Sequence, residues 1–101
     1  MKNGVYRLPS GVLVVDVQSD LLSPTNTRVV VPLIAARDLK GAQPGRLTPH
    51  FEIEGQDVML LPLQMAAVPL RELGEKGLVR MLTEAEAYYV RGALGVLFEG
   101  V

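Results

Sequence analysis

The stretch Val5-Tyr6-Arg7-Leu8-Pro9-Ser10-Gly11-Val12-Leu13-Val14-Val15-Asp16-Val17 decides the fold class. Apolar residues, many of them β-branched, crowd both sides of Pro9-Ser10-Gly11, the pattern of two short strands around a turn. A further strand, Arg28-Val29-Val30-Val31-Pro32-Leu33-Ile34, follows the turn-rich Ser23-Pro24-Thr25-Asn26. Pro32 has no N–H to give to a ladder, which predicts an edge position or a bulge. Residues 41–49 are rich in Gly and Pro and read as a loop. Beyond them, His50 to Ile53 and Val58 to Leu63 read as a second hairpin around Glu54-Gly55-Gln56-Asp57. Residues 65–73 are apolar but punctuated by Pro69, and take no assignment.

The chain then changes period. Thr83-Glu84-Ala85-Glu86 has the spacing of a capping box, predicting a helix from Thr83 to about Phe98. Tyr89, Ala93 and Val96 form one stripe and Val90, Leu94 and Leu97 an adjoining one, a broad apolar face expected to pack on the sheet. Gly92 and Gly95 each cost about 1 kcal/mol of helix propensity against Ala, so packing or a close backbone approach must compensate. No repeat, linker or low-complexity tract interrupts the sequence. The expectation is one domain over residues 1–101, mainly β with a C-terminal α-helix, its short antiparallel strands curled into a small barrel-like sheet.

Composition narrows the function. In 101 residues, 49% are hydrophobic and 21% charged, with a formal net charge of -1 and no dense basic block. The electrostatic footprint of a direct nucleic-acid binder is missing, and the apolar content favours a homo-oligomer. With no cysteine and one histidine, a disulfide framework, a thiolate nucleophile and a His/Cys zinc site within one chain are excluded. The polar start Lys2-Asn3-Gly4 and the short apolar run holding Asp16 resemble neither a signal peptide nor a spanning helix, so the expected location is cytoplasmic, with no membrane partner.

Catalytic patterns are weak. His50 lies alone in an apolar strand beside Phe51, which favours a structural role. Asp16 and Asp20 could act as an acid/base pair, but at a strand end side-chain bonds that form turns are the ordinary use. Glycine-rich phosphate loops are absent. No cofactor, metal or catalytic residue is expected. The terminal Leu97-Phe98-Glu99-Gly100-Val101 is apolar where chain ends are usually polar, and is either docked on the domain or offered to a partner.

Val15-Asp16-Val17-Gln18-Ser19-Asp20-Leu21-Leu22 resembles the Val-Asp-Val-Gln-Ser-Asp-Ile-Ile segment of CcdB-type gyrase-poison toxins. Arg28 to Leu33 with Ala36-Arg37, Met65-Ala66-Ala67-Val68-Pro69, and the ending Phe98-Glu99-Gly100-Val101 resemble three further blocks of that family in the same order. The resemblance implies an SH3-like barrel with an added small sheet, a C-terminal helix and a twofold homodimer. It implies a toxin of a type II toxin-antitoxin system, of the kind that maintains plasmids. Such a toxin enters the DNA gyrase A subunit, traps gyrase on cleaved DNA, performs no chemistry itself, and is neutralised by a cognate antitoxin through which alone it reaches DNA. The positions matched to target contact are Leu21, Leu22, Phe98, Gly100 and Val101, with Glu99 where the family has tryptophan and Gly95 where it has asparagine. Met65, Ala66 and Val68 match a segment near the dimer axis.

Two alternatives accompany this expectation. Glu99 points to a detoxified homologue that binds antitoxin, and so serves operon repression, without poisoning gyrase. A toxin endoribonuclease on a related barrel would need acid/base groups in an RNA groove, for which Arg37, Arg46 and His50 are the available set.

Overall fold

The structure is a computed structural model describing residues 1–22, 26–39 and 45–100. The turn residues 23–25, Lys40, the first four residues of the predicted loop (41–44) and Val101 lie outside the described residues. The first hairpin joins β1 (Gly4–Arg7) to β2 (Leu13–Asp16). Gly11 closes its turn in the left-handed region at φ 93°, with its N–H donating to the Leu8 carbonyl. The register pairs Val5 with Val15 and Tyr6 with Val14. Because side chains alternate along a strand, Val5 and Val15 face one side of the sheet and Tyr6 and Val14 the other.

The nine-residue β3 (Thr27–Ala35) is the trunk of the sheet. It pairs β2 along one side. On its other side the first half pairs β6 (Ala66–Pro69) and the second half β5 (Gln56–Leu60). Pro32 therefore sits in the most connected strand and not at an edge. It is tolerated because it falls where the partner changes from β6 to β5. Its carbonyl accepts from the Leu61 N–H at 3.0 Å, and a strand residue's N–H points the same way as its C=O, so the missing donor removes no bond to β2.

β4 (His50–Ile53) and β5 form the second hairpin around only two residues, Glu54 (φ 53°) and Gly55 (φ 77°). Positive φ at both central positions is the type I′ turn, whose twist suits adjoining strands. The strand thus starts at Gln56, two residues before the expected Val58, and ends at Leu60, where Pro62–Gln64 turns as a short 3-10 helix. Arg7 forms an ion pair with Glu54 and ties the two hairpins together. β7 (Leu78–Met81) has no counterpart in the sequence reading; it pairs β1 antiparallel at the sheet edge. Gly77 permits this, since a Cβ there would lie 2.6 Å from the Arg7 carbonyl oxygen. The full order is β4-β5-β3-β2-β1-β7 with β6 beside β3, a curled half-barrel.

α1 (Glu84–Glu99) begins in the predicted capping box, with Thr83 Oγ1 accepting from the Glu86 N–H and the Glu86 carboxylate accepting from the Thr83 N–H. It ends in a left-handed Gly100 whose N–H donates to the Val96 carbonyl. The helix buries Ala87, Val90 and Ala93. Tyr89, placed by the sequence on the covered face, is 58% exposed. The buried stripe runs along Val90, Ala93 and half-buried Leu94, all on the expected face, and leaves Tyr89 beyond its edge. These residues pack with Val5, Val15, Val31, Leu33, Phe51, Ile53, Val58 and Leu60 into the main core. Tyr6, Val14, Val30 and Leu73 form a smaller core on the opposite face.

Candidate interaction surface

Asp16 lies on the smaller-core face with no exposed surface, and Arg28 is 2% exposed. The register explains their meeting: Asp16 pairs with Val30, so Arg28 is its diagonal neighbour on the same face. Arg28 donates from Nε to Asp16 Oδ2 at 2.9 Å and from Nη2 to Asp16 Oδ1 at 3.1 Å. The same Nη2 reaches the Gln18 carbonyl and Asp20 Oδ1, each at 2.9 Å. The Met1 amino group donates to Asp16 Oδ2 at 3.1 Å and to the Tyr6 hydroxyl at 3.2 Å. Buried charge is tolerable only when paired and hydrogen-bonded in this way. The hydrogen bonds that the Asp16 carboxylate accepts raise the Arg28 pKa further. Asp20 is held below the usual carboxylate range, first by the Lys2 backbone N–H and also by Arg28. Burial, reinforced by Asp16, pushes the Tyr6 phenol up.

This network latches the turn that follows. Gln18 Oε1 accepts from the Val29 N–H at 3.0 Å, and the Asp20 carboxylate accepts from Lys2 N–H at 3.1 and 3.3 Å. Ser19 Oγ accepts from the Leu21 N–H at 3.2 Å. The 3-10 turn Asp20–Leu22 is thereby fixed with Leu21 held out, 91% exposed. Asp16 and Asp20 both make side-chain bonds that fix the turn at the end of β2. The sequence reading missed Arg28 as their partner; its only signal was a cation preceding an apolar strand.

Of the other predicted contact positions, Phe98 is 69% exposed at the last turn of α1, and Glu99 and Gly100 are also exposed. Leu22 is placed by its backbone alone, and Val101 lies outside the described residues. Leu21 and Phe98 are thus large apolar groups left exposed, one on the latched turn and one on the last turn of α1. Ala66 stands exposed on β6, whose only strand partner among the described residues is β3, while Met65 and Val68 are half-buried and pack partly on their own cores.

Of the three residues considered for RNA chemistry, Arg37 and His50 both neighbour Asp57, and Arg46 lines a different cleft. Exposed Arg37 lines a shallow cleft with Asp57, and Arg46 lines another with Tyr88 and Tyr89. His50 points Nδ1 toward Asp57 Oδ2 at 3.4 Å and buries Nε2 without a hydrogen bond among the described residues. Among the described residues no cluster of His, Cys, Asp and Glu could hold a metal ion, and no helix is long and apolar enough to cross a membrane. Comparison with known protein families matches residues 3–100 to the family described as CcdB protein.

Proposed function

Since the chain belongs to the CcdB family, we propose that it is the toxin component of a type II toxin-antitoxin system, acting as a cytoplasmic homodimer on the DNA gyrase A subunit. Residues 1–101 form one toxin domain that works by binding, without catalysis or cofactor, and meets DNA only through its antitoxin. The observation that carries this is the exposure of Leu21 and Phe98 on rigidly held supports. Such apolar groups, costly in water, are the raw material of an interface hot spot. Leu21, Leu22, Phe98, Glu99, Gly100 and Val101 make the gyrase contact. Met65, Ala66 and Val68 lie at the dimer axis, where the small Ala66 on a short edge strand allows a second copy to approach closely.

One observation favours a weakened form of this activity. Glu99 is exposed where the family has tryptophan and has no ion-pair partner among the described residues. An aromatic anchor at an interface centre is worth about 2 kcal/mol or more, so its loss lowers affinity about thirtyfold. Glutamate adds a charge that must be desolvated. The natural protein is then a poor gyrase poison whose main partner is its antitoxin. The test is expression without antitoxin, with growth followed alongside gyrase-DNA cleavage complexes. Feeble killing that Glu99→Trp strengthens supports the proposal, and strong killing without cleavage complexes contradicts it.

A further inference from the structure

The turn that carries Leu21 hangs on one side chain. β2 and β3 pair as far as Asp16 and Val30, and the Val17 N–H still donates to the Val29 carbonyl at 3.1 Å. Gln18 is bound through its carbonyl to Arg28 and through its side chain to the Val29 N–H. Beyond it the backbone leaves the sheet. Among the described residues, the hydrogen bonds that tie Ser19, Asp20 and Leu21 to other elements all end on the Asp20 carboxylate. The bond from the Leu21 N–H to Ser19 Oγ stays within the turn.

Both groups that meet this carboxylate are themselves fixed. Arg28 is buried against Asp16. Lys2 offers a backbone N–H from a short segment ahead of β1 that is pinned along its length. The Asn3 N–H donates to the Asp16 carbonyl at 2.7 Å, the Asn3 carbonyl accepts from the Leu82 N–H at 2.8 Å, and the Gly4 N–H donates to the Met1 carbonyl at 3.0 Å. Asp20 thus joins the first residues, β3 and the turn. Its side chain is 55% exposed, so its bonds add little to the stability of the core. Leu21, the next residue, is too exposed for packing to hold it. A contact group ordered before binding avoids an entropic cost that a loose one must meet.

We infer that Asp20 is a positioning residue: its carboxylate sets where Leu21 stands before a partner arrives and does not itself make the contact. This rests on the reading that Leu21 meets the gyrase A subunit. Direct contact by Asp20 and general stabilisation of the fold are the competing roles, and each leaves a different signature.

The test is a double-mutant cycle on the full chain. Asp20→Ala, Leu21→Ala and the double variant are titrated against the gyrase A subunit, and backbone relaxation is recorded by NMR on each free protein. Leu21→Ala should weaken binding about tenfold and Asp20→Ala several-fold, with no further loss when Asp20→Ala is added to Leu21→Ala. In free Asp20→Ala the order parameter at Leu21 should fall from about 0.85 to below about 0.6. The melting temperature should drop by only a few degrees, because Arg28 keeps Asp16 and the Gln18 carbonyl. Asp20→Asn, which retains an oxygen for the Lys2 N–H but loses the charge facing Arg28, should lie between the natural protein and Asp20→Ala. A loss that persists in the Leu21→Ala background makes Asp20 a direct contact and overturns the inference. So does an order parameter at Leu21 that Asp20→Ala leaves unchanged, or a fall in melting temperature as large as that of Arg28→Ala. If Leu21→Ala leaves binding untouched, or no form binds, the gyrase reading fails, and the order parameter alone decides the positioning role.

Discussion

At Arg28, two carboxylates and a backbone carbonyl converge on one buried guanidinium. Removing it leaves the buried Asp16 carboxylate with the Met1 amino group alone as ion partner, and breaking a buried pair typically costs about 3–5 kcal/mol. Arg28→Ala should lower unfolding stability by that amount in denaturant titrations, and Arg28→Met paired with Asp16→Leu should recover much of it. A loss under about 1 kcal/mol for the single change would mean the network is not what holds the turn. Asp-Val-Gln-Ser-Asp was legible as a motif, but its partner was not. The meeting of Asp16 and Arg28 depends on a strand register that no local pattern displays. The exposure of Phe98 was likewise open to two readings, docking or display, until the buried stripe of α1 was located.

Among the elements, the hairpins and the helix start were readable because each has a local cause. Gly11, Gly55 and the Thr83/Glu86 pair dictate their own geometry. Gly55→Ala, at φ 77°, should destabilise by about 1 kcal/mol. Gly92→Ala, in open space on a helix, should stabilise by about 0.5–1 kcal/mol; thermal melts of the two variants should move in opposite directions. β7 was unreadable because four residues become a strand only through β1 and the close approach at Gly77. Tyr89 was misplaced because it borders buried Val90 and Ala93 on a helical wheel, and only packing on the sheet fixes where the covered face ends.

The start of α1 is also pH-sensitive. Glu86 accepts from Arg80 at 2.7 and 2.9 Å and from the Thr83 N–H, and these bonds, Arg80 foremost, hold its carboxyl below the usual range. A lowered folded-state pKa contributes stability above the ordinary glutamate value and loses it as pH falls through the folded one. Glu86→Gln should therefore cost about 1–2 kcal/mol at neutral pH, and the gap to the natural protein should close in acid. A gap that is constant with pH would contradict this.

At the scale of the whole molecule, the half-barrel and α1 leave apolar surface at β6, at Leu21 and at Phe98. If the β6 surface pairs with a second copy, light scattering at micromolar concentration should give twice the mass of the 11.0 kDa chain. A stable monomer would count against that. The central claim is that the end of α1 is a gyrase contact weakened by Glu99. Its most direct measurement is a binding titration of the gyrase A subunit against the natural protein and Glu99→Trp in parallel. Weak binding by the natural protein and about thirtyfold tighter binding by the variant is the expected result. Equal affinities, or no binding by either, would contradict it.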